Sequence, residues 1–454
     1  MLYLSFAVAY VWMLGCSCRR IYELDVRGEA RYGYYIAFEI GTPPQLLNIL
    51  VDTGSSNTAV LAVPFQNGSS KYFHYNESKT LHTFTNKIDL HYSEGIWSGF
   101  LASDVVRFCA EQNCSLYCII VCMSSVNKTL DVNYKFQGVL GLAYPSLTNQ
   151  NSVTRPFMDT LVEVQNVSNI FALALCGPYF HSKQQTSTAC GKFHIGYMSE
   201  KYFFGDVMYT PLVKEWYYEV LLTDMMVGTN HITYSCLELN KGSSIIDSGT
   251  TELNLPEVVY KWVVSEIKHH IKDHPGYIWK NDSVICSNER EFRIIKFPVL
   301  TLSFLHTSNS SFNLVIHPEL YVLPLTFKDY ASCVTLAIGK SNFGVVVGST
   351  ILKGFYVIFD RVNKRIGFAN SSNTLYSLSN IGSVSVPNYI DGNFDHCKKG
   401  KSDESEISAL TIVLLCCAVA CAVILLYTLL TWIWRQFILR SFDSSETSSL
   451  VDDD

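Results

Sequence analysis

Two short stretches place acids where acids are costly. In LLNILVDTGSSNTAVLAV, residues 46–63, Asp52 ends an apolar run and is followed by Thr53, Gly54, Ser55 and Ser56. In KGSSIIDSGTTELNLP, residues 241–256, Asp247 does the same, with Ser248, Gly249, Thr250 and Thr251 behind it. Burying a carboxylate is expensive, or forces it to take up a proton, unless something nearby compensates. A single Asp-Thr-Gly is ordinary turn chemistry, because Asp bonds its own backbone and Gly tolerates positive φ. Average residue usage puts one D-[ST]-G-[ST] match in only about 2% of chains this long, and two are far rarer. If the fold brings the two carboxyls together they cannot both ionise cheaply, so one keeps a proton while the other stays charged. Such a pair can draw a proton from a water and donate one to a carbonyl oxygen, which is hydrolysis by general acid–base catalysis with no covalent intermediate.

The elements that must position the pair also come twice. GVLGLAY at 138–144 follows the first acid and VVVGSTIL at 345–352 follows the second, which points to an internal duplication with one acid per half. Short runs rich in Val, Ile, Tyr and Phe, broken by Gly, Asn and Ser, predict a mostly β protein. The 454 residues are enough for two lobes. Helical periodicity is clear only at 156–164 and 255–272, the latter with Pro256 in its first turn. HYSEGIWSG, residues 91–99, reads as a hairpin with its tip at Ser93, Glu94 and Gly95 and with Tyr92 and Trp97 on its arms. A net charge of −6 without basic clusters argues against a nucleic-acid partner.

The motif pair and its order resemble the pepsin-like aspartic proteases. YYIAFEIGTPPQLLNILVDTGSSN, YTPLVKEWYYEV, IIDSGTT and GFYVIFDRVNKRIGFA are similar to the membrane-anchored β-secretase (memapsin) branch of that family, over roughly residues 30–400. The resemblance implies an all-β, bilobal fold whose cleft lies between two pseudo-twofold-related lobes, residues 31–207 and 208–397. It implies an aspartic endopeptidase in which Asp52 and Asp247 are catalytic and hold a water between them; the split titration of such a pair is a known property of the family. Thr53 and Ser248 would hold the two loops together, Ser55 and Thr250 would bond the outer carboxylate oxygens, and Gly54 and Gly249 would let the backbones approach. Tyr92, Ser93, Glu94 and Trp97 fall on the family's flap, which closes over substrate and excludes water. The substrate would be a polypeptide bound as an extended strand, with alternate side chains in pockets; neither metal nor cofactor is implied. A catalytically silent membrane binding protein is the other reading, because a fold does not guarantee an activity.

The ends set the compartment. Residues 1–18 are apolar and precede Arg19 and Arg20, as in a secretory signal. Residues 19–30 then read as a short pro-like segment. Residues 407–434 carry no charge over a helical length of about 42 Å, enough to cross a bilayer, with Trp432 and Trp434 suited to the interface. A stalk at 398–406 and a cytoplasmic tail at 435–454 complete a single-pass type I arrangement in the secretory pathway, an endosome or the cell surface. Eight N-x-[ST] sequons, at Asn67, Asn76, Asn113, Asn127, Asn166, Asn281, Asn309 and Asn370, agree with a lumenal ectodomain. The tail's ETSSLVDDD admits two readings, a variant di-leucine sorting signal and a solvated acidic end.

Of fifteen cysteines, two lie in the signal and three (Cys416, Cys417 and Cys421) in the span, leaving ten outside the cytosol. The resemblance implies Cys236–Cys397 and Cys286–Cys333. The family partner for Cys176, just after IGFA, is missing, and Cys190 is the substitute proposed for it. In the cluster Cys109, Cys114, Cys118 and Cys122 no His pattern suggests a metal, and an oxidising compartment favours disulfides. Cys109–Cys114 is feasible across a hairpin. Cys118 and Cys122 cannot bridge each other on one strand, where they would lie ~13 Å apart, and they are left without partners.

One departure bears on specificity. Where the relatives carry an arginine after DSGTT, this chain has Asn254, and the flap tip carries Glu94 in place of a neutral amide. The expectation is a cleft that disfavours acidic side chains beside the scissile bond.

Overall fold

The computed structural model describes residues 19–64, 71–92, 95–109, 114–126, 135–148, 154–175, 191–273, 276–287, 297–327, 330–372, 381–398 and 402–446. Their contacts divide the chain into two compact units, Met1–Lys398 and Lys399–Asp454.

The first unit is built mainly of strands. Strand Gln45–Asp52 is buried at each of its last four residues, as expected of a continuous apolar run covered on both faces. It runs parallel to Gly138–Gly141, with Asp52 level with Gly141. Thr58–Leu61, just past the acid, lies antiparallel on the other side of Gly138–Gly141 and parallel to Ser115–Val126. The second half repeats this arrangement. Ser244–Ile246 runs parallel to Val346–Val347, and Leu253–Pro256 lies antiparallel to Val346–Val347 and parallel to Ile338–Ser341. The repeated apolar-glycine runs are therefore the strands threaded between the two that flank each acid. The duplication read from the sequence is a duplication of topology.

A shared sheet joins the halves. Its strands run in the order Phe203–Pro211, Arg365–Ser371, Phe355–Asp360, Ile170–Ala174, Gly191–Ile195 and Tyr22–Glu29. The junction is the antiparallel pairing of Ile170–Ala174 with Phe355–Asp360. Tyr22–Glu29 lies inside the stretch expected as a pro-like segment, yet it is an integral strand, pairing with Gly191–Ile195 and with Gly33–Ile40. Its sequence YELDVRGE alternates buried and exposed residues, the period of a strand with one covered face. None of residues 19–30 lines the cleft described below.

Side chains also tie the halves together. Arg361 is buried and donates to both oxygens of Asp159, at 3.0 and 3.3 Å, with its guanidinium 4.4 Å from the Tyr144 ring centroid. The Tyr218 hydroxyl donates to the Leu142 carbonyl at 2.6 Å.

Both expected helices form, as Phe157–Gln165 and Glu257–Ile271. The second buries Val259, Tyr260, Val263, Val264, Ile267 and Ile271, one face at intervals of three and four. Pro256 stands one place earlier than expected: it is the helix N-cap and closes the preceding strand. Lacking an N–H, it suits a strand's last position better than the ladder's interior.

Disulfides join Cys236 to Cys397, Cys286 to Cys333 and Cys109 to Cys114. Cys176 and Cys190 lie outside the described residues. Cys118 and Cys122 are free and buried on strand Ser115–Val126. Burial pushes both thiols up to about 12, so they act as small apolar core residues with little thiolate character.

In the second unit a single helix, Ser402–Glu446, begins within the stretch expected as a stalk. Its Thr411–Gln436 stretch is long and apolar enough to cross a membrane, with a mean hydropathy of 2.9.

Candidate active site

Each acid sits at the end of its strand, where the chain leaves the sheet for a Thr-Gly-Ser or Ser-Gly-Thr loop. Asp52 and Asp247 are 6% and 8% exposed, just enough to reach solvent through the cleft. The backbone N–H of Gly54 donates to Asp52 Oδ1 at 2.8 Å and Ser55 Oγ donates to Oδ2 at 2.5 Å. The other loop repeats these bonds: Gly249 N–H to Asp247 Oδ1 at 2.8 Å, and Thr250 Oγ1 to Oδ2 at 2.6 Å. Two acceptor oxygens, each bonded once, leave each carboxyl oriented and its remaining lone pairs available.

A reciprocal clamp fixes one loop against the other. Thr53 N–H donates to Ser248 Oγ at 3.1 Å, and Ser248 N–H donates to Thr53 Oγ1 at 2.9 Å. Each hydroxyl then donates onward across the divide, Thr53 Oγ1 to the Ile246 carbonyl at 2.9 Å and Ser248 Oγ to the Val51 carbonyl at 2.7 Å. Thr53 and Ser248 are fully buried, so no water can replace a lost partner. Thr53→Val should leave the Ser248 N–H unsatisfied and cost about 1–3 kcal/mol. Ser248→Ala should cost as much by stranding the Thr53 N–H. Denaturant titration checks this; a change within about 0.5 kcal/mol for both would show that the clamp contributes nothing to stability.

The clamp sets each carboxyl against the glycine of the opposite loop. A Cβ added to Gly54 would lie 2.5 Å from the carboxyl atoms of Asp247, and one on Gly249 would fall closer still to Asp52 Oδ1. Burial first, then the charge of Asp247, holds the Asp52 carboxyl well above the usual carboxylate range, against the opposing bonds from Ser55 and Gly54. The pair therefore keeps a proton where isolated carboxyls would have lost theirs.

A profile of eukaryotic aspartyl proteases matches residues 33–371. The chain belongs to that family. It is 35% identical to a β-secretase of Strongylocentrotus purpuratus over 368 residues, covering 77% of this chain and 68% of the relative. It is 26% identical to cathepsin D of Mus musculus over 358 residues, covering 74% of this chain and 80% of that protein. Mouse gastricsin is also 26% identical, with 74% and 81% covered.

In this aspartyl protease chain the two acids open into a cleft of about 1410 Å³, whose walls include Leu90, Trp97, Tyr217 and Asn254. Strands His82–Tyr92 and Gly95–Arg107 form the expected hairpin, with Tyr92 in register with Gly95. Ser93, Glu94 and the Tyr92 side chain lie outside the described residues. Trp97 is more than an arm residue: it is 3% exposed and packs in a second apolar cluster with Leu50, Leu61, Ile88 and Leu90, bracing the hairpin two residues from Gly95.

The wall residues that sequence reasoning did not single out include Tyr217, Lys340 and Glu252. Tyr217 stands near enough to the dyad that, after burial, the charges of Asp247 and Asp52 push its hydroxyl up. Its signal was available in KEWYYEV, a run of aromatics too long for one buried strand face. Asn254 lines the cleft, as its place after DSGTT implied. Among the described residues one Cys/His/acid cluster has metal-ligand spacing, Cys236, His396 and Cys397, and both its sulfurs are in a disulfide.

Proposed function

We propose that the chain is a single-pass, membrane-anchored aspartic endopeptidase that hydrolyses peptide bonds in extended segments of lumenal or membrane-tethered proteins. The observation that carries this is the paired hydrogen bonding of Asp52 and Asp247 across the Thr53–Ser248 clamp, at the floor of an open cleft. A water between the carboxyls would lose a proton to the ionised member as it attacks the scissile carbonyl. The protonated member donates to the carbonyl oxygen, giving a neutral tetrahedral diol. As the C–N bond breaks, the newly protonated carboxyl gives its proton to the departing amine while the ionised one takes a proton from a diol hydroxyl, which restores the pair. Tyr92, on the hairpin above, would close over the bound strand and exclude bulk water.

The proposed topology is type I. Residues 1–18 act as signal, the ectodomain is glycosylated, Thr411–Gln436 supplies the span, and the chain past it is cytoplasmic. Anchoring enzyme and substrate in one membrane raises their effective concentration. The strand made by Tyr22–Glu29 supports a further point, that residues 19–30 belong to the working enzyme and do not block its cleft.

The test is turnover of a peptide library by the full-length protein in detergent, with and without a statine-type transition-state mimic, across pH. Cleavage blocked by the mimic supports the proposal. A folded protein that neither cleaves nor binds the mimic would be the silent binding protein instead. The rate should follow a bell with its maximum below neutral pH. Activity is lost on the acid side as the second carboxyl gains a proton, and on the alkaline side as the proton retained by the raised Asp52 is released. A profile flat into the alkaline range would rule out a shared proton.

A further inference from the structure

Five residues past Asp247, the wall of the cleft carries an acid that the dyad chemistry does not use. Leu253 and Leu255 are fully buried, so the alternation of strand Leu253–Pro256 turns Glu252 and Asn254 to the opposite face, where both line the cleft. The neighbouring parallel strand, Ile338–Ser341, sets Gly339 in register with Asn254. A Cβ at Gly339 would lie 2.5 Å from Glu252 Oε2 and closer still to Asn254 Oδ1. The missing side chain at 339 is therefore the floor on which a carboxylate and an amide oxygen lie side by side.

Glu252 is half-buried, and no hydrogen bond or ion pair reaches its carboxylate among the described residues. Burial raises its pKa with no cation opposing. The two cations of the cleft wall are engaged elsewhere. Lys340 Nζ lies 5.3 Å from the Tyr260 ring centroid and acts on Glu257 and Asp282, and Arg31 donates to the Pro324 carbonyl at 3.3 Å. A carboxylate partly withdrawn from water and left unpaired is unfavourable until a cation meets it.

We propose that Glu252, with Asn254 Oδ1 beside it over Gly339, is a recognition site for a cationic side chain, Lys or Arg, of a peptide bound in the cleft. This rests on the reading of the cleft as a peptide-binding site and gives it a selectivity. It also sharpens the expectation drawn from Asn254, since a wall that repels acidic side chains here also attracts basic ones. The positive head would donate one bond to the carboxylate and one to the amide oxygen, while its methylene stem covers the apolar wall.

The test measures binding, so it reads the site whether or not the cleft turns over. Statine-containing peptides carrying Lys, its isostere norleucine, or Glu, placed in turn at each position around the statine, are titrated into the full-length protein in detergent near neutral pH. At one position the wild type should bind the Lys peptide about tenfold tighter than the norleucine peptide. That ratio should fall below about twofold in Glu252→Gln and invert in favour of the Glu peptide in Glu252→Lys, with thermal melts confirming that each variant is folded. A Lys preference that tracks residue 252 supports the assignment even if no peptide is ever cleaved. Equal Lys and norleucine affinities at every position, or a preference that survives in both variants, overturn it even where cleavage is brisk.

Discussion

Asp52→Asn is expected to lower kcat/KM for peptide hydrolysis by about 10³-fold or more, and Asp247→Asn by as much, with the fold intact. The asparagine amide has the carboxyl's shape and can keep the Gly54 N–H bond while offering its NH₂ to Ser55 Oγ, so the loop need not move. What it cannot do is exchange a proton. Either substitution leaves one titrating member, which cannot be the base toward water and the acid toward the carbonyl in the same step. A stability measurement separates this from simple damage. Because the Asp52 carboxyl is held above its ordinary range, the folded state binds its proton more tightly than the unfolded state does. The stability this proton contributes is present at low pH and is lost as pH rises from the ordinary carboxylate range through the raised value. Asp52→Asn has no such proton to lose, so its Tm relative to the wild type should climb as pH rises through that window. Activity above a few per cent in either variant, with contamination excluded, refutes the two-acid mechanism; a Tm difference independent of pH refutes the raised carboxyl.

The dyad was legible in the sequence because each acid breaks a local rule twice in the same way. A carboxylate that ends an apolar run makes sense only if a second one is brought to it, and the repeated GVLGLAY and VVVGSTIL runs supplied the matching frame. Periodicity marked the two helices, and Glu257–Ile271 is amphipathic enough for tertiary packing to keep it. That the N-terminal stretch forms an integral strand was not legible, because its partner strand, Gly191–Ile195, lies far along the chain and register is invisible in one dimension. Glu252 was missed for a related reason. One glutamate after a Thr-Thr pair looks solvated, and only the register of Gly339 beneath it shows that it faces a cleft. Trp97 read as a flap aromatic, whereas the cluster that buries it is assembled from Leu50, Leu61 and Ile88, which no local window contains.

A single methyl group at Gly249 or Gly54 should be nearly as damaging as losing an acid. Neither glycine has a positive φ, so backbone strain is not the reason; space is. At Gly54 the three nearest atoms to an added Cβ are Cγ, Oδ1 and Oδ2 of Asp247, all at 2.5 Å, and at Gly249 the nearest is Asp52 Oδ1. These are not the free ends of flexible side chains. Each carboxyl is held by a backbone N–H and a hydroxyl from its own loop, and the loops are held to each other through Thr53 and Ser248. The methyl can be admitted only by swinging a carboxyl off its donors or by parting the loops. Overpacking of this kind costs about 1–3 kcal/mol, which a domain stapled by Cys236–Cys397 and Cys286–Cys333 should survive. Catalysis should not survive it, because a displacement of about 1 Å between reacting groups can cost ~100-fold. Gly249→Ala is therefore expected to lower kcat/KM by about 100-fold or more and to weaken the statine mimic in parallel, while near-ultraviolet circular dichroism stays native. The approximate twofold symmetry makes a second demand, that Gly54→Ala behave alike. If either variant keeps more than about a tenth of the wild-type kcat/KM, the carboxyls can part without consequence, and the close fit of each carboxyl against the opposite loop is not what makes the pair work.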